Sequence, residues 1–464
     1  MELNTGHRLK IAFYGDDFTG STDALESLTN YGLKTMLFID VPVAEKLKKY
    51  KDLDAIGIAG MSRTFSPAEM EDHLRPAFVA LAKLHPKHVH YKICSTFDSS
   101  PSIGSIGKAI DIGTEVFKTP VVPLLVAVPP LGRYCLFGNL FARMGIGSEG
   151  TIFRLDRHPS MSRHPVTPAD ESDLRLHLGK QTKKKIGLVD LLSIRENQPK
   201  LDPNDEILLF DALENEDLNT IGEIIDSMAE DASQFIVGSS GVGMALGSYW
   251  AKKKPTAAVN WKAAIVGGAI LVVSGSCSLT TANQIKTAID NGFVSLAIDT
   301  IALAENLTGE HRKDSDAINR TAFQYAEQVM PLIKQGKQVI VHTSISADDP
   351  RVTATDRIFK EKGLSSTDTA KFYGTLLGQI AKLVAAGTSL SRIVVAGGDT
   401  SSYAARAMGI EAVEMLAPLS PGAPICLAIA PHSPVDRLQV VFKGGQVGKP
   451  DFFITAAKDI IIDN

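Results

Sequence analysis

The stretch KIAFYGDDFTGSTDALESL, residues 10–28, decides the fold of the chain. The apolar residues 11–13 predict a buried strand that stops at Gly15, and positions 24, 25 and 28 repeat at helical spacing. Two neighbouring acids, Asp16 and Asp17, stand between these elements. Ligands of open parallel sheets lie beyond the carboxyl ends of the strands, so both acids are candidates for binding a metal or a substrate hydroxyl, or for abstracting a proton. The alternative is that they only cap the helix.

The composition predicts a globular protein with two domains. The chain has 464 residues, too many for one ordinary core, and 44% of them are apolar while 22% are charged. The net charge of −4 gives no electrostatic footprint for nucleic acid. The first residues resemble no signal peptide, and no run approaches the ~20 apolar residues that span a bilayer. The four cysteines lack metal-binding spacing. We therefore predict a cytoplasmic protein without nucleic-acid or membrane partners.

Strand-like runs alternate with helical runs, which predicts an α/β fold. Residues 251–264, AKKKPTAAVNWKAA, interrupt the alternation with Lys and Pro and predict a linker. The predicted domains are therefore residues 1–250 and 265–464. Each is expected to contain a mostly parallel sheet flanked by helices, with the active site in the cleft between the domains.

Polar groups follow two further strands of the first half. Ser62 and Arg63 come after a strand predicted at residues 55–59, and the planar fork of the guanidinium suits a carboxylate or a phosphate. The strand predicted at residues 88–94 runs into a second polar group, Lys92, Ser95, Thr96 and Asp98. The GSIGK segment at 104–108 fails as a Walker A loop because alanine follows the lysine. Anion binding by backbone N–H groups and a plain helix cap both remain open there.

Two other segments of the first half carry alternatives. Residues 132–164 are polar and show little periodicity, which predicts a substrate-covering loop or a plain polar excursion. Prolines after His158 and His164 exclude a helical zinc pair. Residues 238–243, GSSGVG, differ from the GxGxxG of nicotinamide sites, and no acid follows ~20 residues later. A NAD-dependent oxidoreductase is kept as the alternative function.

Three glycine-rich turns follow strands of the second half, at residues 274–276, 397–400 and 444–448. The second turn follows a strand predicted at Arg392–Ala396 and precedes a helix predicted to start near Tyr403. Such turns at helix starts present backbone N–H groups and a positive helix end, which suits a polyphosphate. Asp399 would repel phosphate unless a cation lay between them, so a Mg²⁺ role is predicted for this residue.

The motifs GDDFTGSTDA, SR, YKICSTFDSSPSIGSIG, HPVTP, VVSGSCS, AGGDTSS and GGQVGKPDFF occur in this order and span nearly the whole chain. As an ordered set they resemble the four-carbon acid sugar kinase family. The resemblance implies an N-terminal acid-sugar-binding domain, a C-terminal nucleotide-binding domain, and phosphorylation of threonate, erythronate, 3-oxo-tetronate or 3-oxo-isoapionate by ATP with Mg²⁺ in carbohydrate catabolism. Many members carry a KxDSTLRGN-like segment where this chain has KICSTFDSS, which leaves the identity of the sugar acid open.

The resemblance also implies the site residues. The acid sugar is expected to contact Asp16, Asp17, Ser62, Arg63, Lys92, Ser95, Thr96 and Asp98. ATP is expected to contact Ser274, Gly397, Gly398, Asp399, Thr400, Gly445 and Gly448. In this hypothesis Arg63 holds the substrate carboxylate, and Asp17, preferred over Asp16, orients or deprotonates the hydroxyl. A non-catalytic sugar-acid sensor is a further alternative, and a homodimer stays open because no pattern identifies an interface.

Overall fold

Short runs rich in Val, Ile and Leu alternate with longer amphipathic runs, a pattern that folds into parallel strands covered by helices. The computed structural model describes residues 8–50, 52–144, 150–164, 166–197, 201–253, 261, 263–308, 311–364 and 366–460. The chain divides into two units, Met1–Val259 and Asn260–Asn464, and both are α/β, as predicted. Of the predicted linker, residues 254–260 and 262 lie outside the described residues, while residues 251–253 end a helix.

The strands of the first unit are β1 (Ile11–Gly15), β2 (Thr35–Phe38), β3 (Ala55–Ala59), β4 (His88–Lys92), β5 (Val122–Leu125), β6 (Arg133–Leu136), β7 (Asn139–Arg143), β8 (Ile152–Arg154), β9 (Ile186–Val189), β10 (Ile207–Phe210) and β11 (Gln234–Gly238). Its α-helices are α1 (Phe18–Asn30), α2 (Ala44–Leu47), α3 (Pro67–Ala82), α4 (Ile106–Phe117), α5 (Leu174–Gly179), α6 (Leu191–Arg195), α7 (Asn215–Ser227) and α8 (Gly241–Lys253). Short 3-10 helices lie at Ser62–Thr64, Pro129–Leu131, Leu155–Arg157 and Met161–Arg163.

The main sheet of the first unit has the order β2-β3-β1-β4-β11-β5-β10-β9. Every neighbouring pair in it is parallel. The carboxyl ends of its strands therefore lie along one edge, where the polar groups after β1, β3 and β4 meet.

The strands of the second unit are β12 (Ile270–Ser274), β13 (Val294–Ala297), β14 (Val339–His342), β15 (Arg392–Ala396), β16 (Ala412–Ser420), β17 (Ala423–Ile429) and β18 (Gln439–Lys443). Its helices are α9 (Leu279–Asp290), α10 (Thr300–Asn306), α11 (His311–Lys334), α12 (Pro350–Glu361), α13 (Ser366–Gly387), α14 (Gly398–Met408) and α15 (Phe452–Ala456). The parallel order β13-β14-β12-β15-β18 is extended by the antiparallel strands β17 and β16. Within the described ranges, no helix has the length and apolar character needed to cross a membrane.

The prediction of an irregular segment at residues 132–164 is wrong. Strands β6, β7 and β8 form a small antiparallel sheet there. Phe137 and Gly138 take φ values of 49° and 80° between β6 and β7, which is the left-handed pair of a tight hairpin turn. The strands contain only three to five residues each, so their alternation is too short to stand out in the sequence.

The GGDTSS motif belongs to a helix rather than to a loop. Helix α14 begins at Gly398, whereas the sequence predicts a start near Tyr403. Gly397 is the N-cap, and the amide of Ser401 donates to its carbonyl at 3.0 Å. The motif therefore forms the first helical turn, where backbone N–H groups lack intrahelical partners.

Candidate active site

Three strands of the first unit are tied together at their carboxyl ends. The amide of Asp16, just after β1, donates to the carbonyl of Lys92 on β4 at 2.8 Å. The amide of Arg63, just after β3, donates to the carbonyl of Asp16 at 3.0 Å. These backbone bonds bring Asp16, Asp17, Arg63 and Lys92 to one place, and we call these four residues the acid cluster.

Arg63 binds both aspartates of the acid cluster. Its Nε and Nη2 donate to Asp16 at 3.1 and 2.7 Å, which is a bidentate pair. Its Nη1 donates to Asp17 Oδ2 at 3.1 Å, and Nη2 lies 2.9 Å from Asp17 Oδ1. Sequence reasoning expects Arg63 to hold the substrate carboxylate, but the structure gives its donors to carboxylates of the protein.

Asp17 also caps α1, as the alternative interpretation predicts. Its Oδ1 accepts from the amide of Gly20 at 2.8 Å, and its Oδ2 accepts from Thr19 Oγ1 at 2.9 Å. A Cβ at Gly20 would lie 2.4 Å from Asp17 Oδ1 and 2.9 Å from Lys92 Nζ, so a side chain there would displace these groups. Capping and ion pairing together fix the direction of the Asp17 carboxylate.

The two aspartates differ in their titration. Burial raises the pKa of Asp16, and the charge of Asp17 adds to the rise while Arg63 opposes it. Burial acts on Asp17 in the same sense, but Arg63 and Lys92 offset it, so the pKa of Asp17 lies below its usual value. Asp17 is therefore the more acidic of the two carboxylates, and its side chain is also the more exposed.

The other predicted sugar-side residues surround the acid cluster. Lys92 is buried, with Nζ 3.6 Å from Asp23 Oδ2. Ser62 is fully buried, and its Oγ lies 2.9 Å from the hydroxyl of Tyr91. Ser62 therefore supports the acid cluster from the protein interior.

After β4, Thr96 Oγ1 donates to Asp98 Oδ1 at 2.8 Å and lies 2.9 Å from Cys94 Sγ. Ser95 is half-buried on the same turn. Burial raises the pKa of the Cys94 thiol to about 11, so this thiol is neutral. The turn therefore presents hydroxyls, a neutral thiol and a carboxylate at the edge of the sheet.

The start of α4, within the GSIG segment, is capped by protein groups rather than open to an anion. Ser105 caps α4, and the side chain of Gln181 accepts from the amide of Gly107 at 3.3 Å. Gly104 takes φ of 60°, and a Cβ there would lie 2.4 Å from the Arg63 carbonyl. The turn thus packs on the Ser62–Thr64 segment and holds it in place.

The glycines of GSSGVG serve close packing. A Cβ at Gly241 would lie 2.1 Å from the Ala127 carbonyl, and a Cβ at Gly243 would lie 2.4 Å from Ser27 Oγ. These glycines let α8 approach its neighbours, which explains their spacing without a pyrophosphate.

The second unit contains a cavity of about 320 Å³. The turns after β12 and β15 form one wall of it, with Gly275, Ser276, Gly397, Gly398, Asp399 and Thr400. Helices α12 and α13 contribute Asp356, Thr369 and Tyr373 on another side. We call this space the glycine cavity, and its size is within the usual range for small-ligand pockets.

The two turns of the glycine cavity touch each other through Thr400. A Cβ at Gly275 would lie 2.3 Å from Thr400 Oγ1, and a Cβ at Gly397 would lie 2.7 Å from it. Gly397 also takes φ of 128°, a conformation that L side chains rarely adopt. Glycine is therefore required at both positions to bring the start of α14 against the β12 turn.

The predicted ligands Ser274, Gly445 and Gly448 do not line the cavity. Ser274 is buried under its wall, and Gly445 lies beside Ser276, since a Cβ there would be 3.1 Å from Ser276 Oγ. Gly448 packs on Phe452. Beneath this turn, buried Lys443 donates to Thr281 Oγ1 and to the carbonyl of Gly444, both at 3.0 Å. Burial lowers the pKa of Lys443 to about 7.

The residues of the glycine cavity fit a magnesium–nucleotide ligand. Asp399 is exposed in the first turn of α14, and Asp356 lines the same cavity. Protein sites for Mg²⁺ commonly use one or two carboxylates together with substrate phosphates. Among the described residues, no three acids, histidines or cysteines gather as a closed metal site.

Sequence reasoning missed two parts of these sites. Arg133, at the start of β6, is buried beside the turn that follows β4. Asp356 and Tyr373 reach the glycine cavity from helix faces. No local sequence pattern predicts either part, because a single polar residue on a helix or short strand is common.

Comparisons with known proteins agree with this architecture. Residues 11–246 match the family model of a sugar-binding N-terminal domain, and residues 271–453 match that of a nucleotide-binding C-terminal domain. A 3-oxo-isoapionate kinase from Paraburkholderia graminis is 39% identical over 454 residues, 96% of this chain and 93% of the relative. A 3-oxo-tetronate kinase from Pseudomonas savastanoi pv. phaseolicola is 28% identical over 470 residues, 99% of both chains. A crystal structure of a Haemophilus influenzae protein shares the fold, with a TM-score of 0.65 at 21% identity over 96% of this chain and 98% of that chain.

The two matched domains and the kinase relatives identify a sugar-acid kinase. The chain belongs to the four-carbon acid sugar kinase family, as its motifs predict.

Proposed function

We propose that this chain transfers the γ-phosphoryl group of ATP to a hydroxyl of a 3-oxo-isoapionate- or 3-oxo-tetronate-type sugar acid, in carbohydrate catabolism. The 39% identity to a 3-oxo-isoapionate kinase favours the first type over the second, whose named relatives are less similar. The observation that carries the proposal is the acid cluster, in which two adjacent carboxylates at a parallel-sheet edge have pKa values shifted in opposite directions.

In this proposal Asp17 receives the substrate hydroxyl. It is ionised, held by the Gly20 amide and Arg63, and more exposed than Asp16. The hydroxyl oxygen forms the new bond to the γ-phosphorus as the bond to the bridging oxygen of ADP breaks. Because phosphoryl transfer depends mainly on alignment and charge neutralisation, an acceptor of low pKa serves to orient the hydroxyl and take up its proton late.

The glycine cavity is the proposed site of ATP. The first-turn amides of α14 and the turn after β12 would bind phosphate oxygens, as helix N-termini commonly do. Asp399 would hold Mg²⁺, which when bound neutralises phosphate charge. Ser274, Gly445 and Gly448 are proposed to shape these turns. The cleft between the domains, the cytoplasmic location and a homodimer stay predictions from the sequence.

A coupled assay of ADP formation tests the proposal. The purified chain with Mg²⁺ and ATP is expected to form ADP in the presence of a four-carbon or branched five-carbon sugar acid, and not with the matching sugar alcohols. Binding of a sugar acid without ADP formation would favour the sensor. Reduction of NAD with a sugar acid and no nucleotide turnover would favour the oxidoreductase.

A further inference from the structure

Arg63 is poorly placed to receive the carboxylate of a sugar acid. Three of its nitrogen atoms already donate to Asp16 and Asp17. A substrate carboxylate at the same guanidinium would approach two carboxylates of the protein, and like charges at such distances repel strongly away from bulk water. Another cation at the carboxyl edge of the sheet is therefore needed.

Arg133 is a buried cation with unused donors. It is 7% exposed, and its hydrogen bonds run from Nη1 to the carbonyls of Leu131 and Arg143, at 3.0 and 3.1 Å, and more weakly to that of Gly132. Its Nε is buried without a partner, and within the described residues no carboxylate lies at ion-pair distance from it. An unpaired buried charge is costly, so such groups usually meet a counter-ion or a ligand.

Arg392 shows how this chain satisfies a buried arginine that has only a structural role. It is fully buried on β15, and Nε and Nη2 both donate to Gln439 Oε1, at 3.0 and 2.6 Å. Nη2 also donates to the carbonyl of Ala264, and Nη1 donates to the carbonyl of Ala456. All three guanidinium nitrogens of Arg392 therefore have hydrogen-bond partners. The unpartnered Nε of Arg133 is not a general property of the buried arginines in the described part of the chain.

The position of Arg133 suits a ligand that also reaches the acid cluster. Its backbone pairs with Val128, just beyond the carboxyl end of β5. Strands β1 and β5 are separated by three strand spacings in the sheet, or ~14 Å. Long side chains at the two ends, such as that of Arg133, shorten this distance. Cys94, a neutral thiol, lies within electrostatic range of both Arg63 and Arg133. Between them, at the end of β11, Ser240 Oγ is a second buried group without a partner.

We propose that Arg133 binds the carboxylate of the sugar acid, while Arg63 holds the two aspartates in position. This assignment rests on the proposed function in one respect only, namely that the substrate is a sugar acid. It makes Arg133 the residue that distinguishes an acid from the corresponding alcohol, and it gives the substrate a direction, with its carboxylate towards β5 and its reacting hydroxyl towards β1.

Calorimetric binding of matched ligands tests this assignment. The probes are the tightest-binding acid among threonate, erythronate, 3-oxo-tetronate and 3-oxo-isoapionate, and its counterpart with a hydroxymethyl group in place of the carboxylate. The wild type is expected to bind the acid about 10- to 100-fold more tightly than the alcohol, the range for hydrogen bonds to a charged group. Arg133→Gln should remove most of that preference, while Arg392→Gln, the matched buried control, should keep it. ADP formation is measured in parallel.

The outcomes separate the two proposals. Loss of the preference in Arg133→Gln without any ADP formation by the wild type would support the assignment and reject the kinase. ADP formation with an unchanged acid preference in Arg133→Gln would overturn the assignment and leave the kinase in place. If Arg133→Gln does not fold, Arg133→Lys decides, because it keeps the charge and loses the fork. A KM for the acid raised about tenfold with a nearly unchanged kcat is expected, and an unchanged KM overturns the assignment.

Discussion

The acid cluster and the glycine cavity hold polar groups in opposite ways. In the acid cluster, long charged side chains are buried and paired with one another, as Arg63 is with Asp16 and Asp17. In the glycine cavity, turns at the start of α14 and after β12 present backbone and hydroxyl groups. The first arrangement balances its charges before any ligand arrives, whereas the second leaves donors for a ligand to use. Changes of charge should therefore dominate at the first site, and changes of backbone shape at the second.

The largest effect is expected for Asp17→Asn. Asparagine caps a helix about as well as aspartate, so α1 should keep its start, while the charge that orients the hydroxyl is lost. We expect kcat to fall ~100-fold or more, the usual scale for a positioned acid–base group. Steady-state kinetics with the sugar acid found in the screen measure this effect.

Asp173→Asn is the matched control for that variant. Asp173 also caps a helix, α5, and also binds an arginine, Arg175, through a bidentate contact with Oδ1 and Oδ2 at 3.0 and 2.6 Å. Its loss should leave kcat close to the wild-type value. Equal losses in both variants would show that capping and pairing, rather than chemistry, explain Asp17.

Asp399→Asn tests a change of charge in the glycine cavity, where we otherwise expect backbone shape to matter most. We expect the KM for ATP to rise ~10- to 100-fold at low Mg²⁺, the scale on which a weakened metal site loses affinity, and to recover as Mg²⁺ is raised. Asp290→Asn, an exposed acid at the end of α9 that does not line the cavity, is the control and should change the KM by less than about threefold. The same loss in both variants would indicate a general effect of charge.

Gly397→Ala tests the role of backbone shape. The left-handed φ of 128° and a contact of 2.7 Å with Thr400 Oγ1 both oppose a side chain there. We expect a loss of about 1–3 kcal/mol in the free energy of unfolding together with weaker ATP binding. Gly292→Ala is the control, because Gly292 has φ of 91° and nothing within 4 Å of an added Cβ. Gly292→Ala should lose stability through backbone strain without weaker ATP binding. Equal ATP affinity in the two variants would show that Gly397 is not part of the nucleotide site.

Several strands and the glycine turns of this chain are predictable because their signals are local. The runs at Ala55–Ala59 and Arg392–Ala396 are apolar, β-branched in part and bounded by Gly or Asp, and their predicted bounds are correct. The turn at 397–400 is predicted as a polar turn from its glycines, and the structure places it in the cavity wall. Only the helix start is misplaced, by five residues, because Ser, Thr and Asp suit a cap and a first turn alike.

The partners of individual side chains are not predictable in the same way. The sequence shows Arg63 as a cation at a strand end, but its pairing with Asp16 and Asp17 depends on the order of β3 and β1 in the sheet. Arg133 is less visible still, because its burial requires the hairpin at Phe137 and Gly138 and a sheet that the sequence does not reveal. The order of the strands in the sheet determines which residues distant in sequence make contact. Local sequence patterns do not predict these contacts.

The last prediction concerns Lys443, a buried lysine that contrasts with the lysine and arginine of the acid cluster, which face carboxylates. Burial lowers the pKa of Lys443 to about 7 in the folded chain, against the usual 10.5 expected when unfolded. Between these values the unfolded state binds one more proton at this residue, so folding stability should rise with pH. The free energy of unfolding of the wild type, minus that of Lys443→Met, should increase by up to about 1.4 kcal/mol per pH unit in this window.

Denaturant unfolding of both proteins between pH 7 and 10 measures this slope, since titrations common to the two cancel in the difference. Below pH 7 the lysine is protonated in both states, and the difference should become flat. A bound polyphosphate would supply the missing negative charge, raise the pKa of Lys443 and reduce the slope when ATP is added. Parallel profiles without ATP would contradict a lowered pKa of Lys443 under the turn at 444–448. A slope that ATP leaves unchanged would show that the nucleotide phosphates bind away from this turn, and the contrast with the acid cluster would then rest on Gly397 and Asp399 alone.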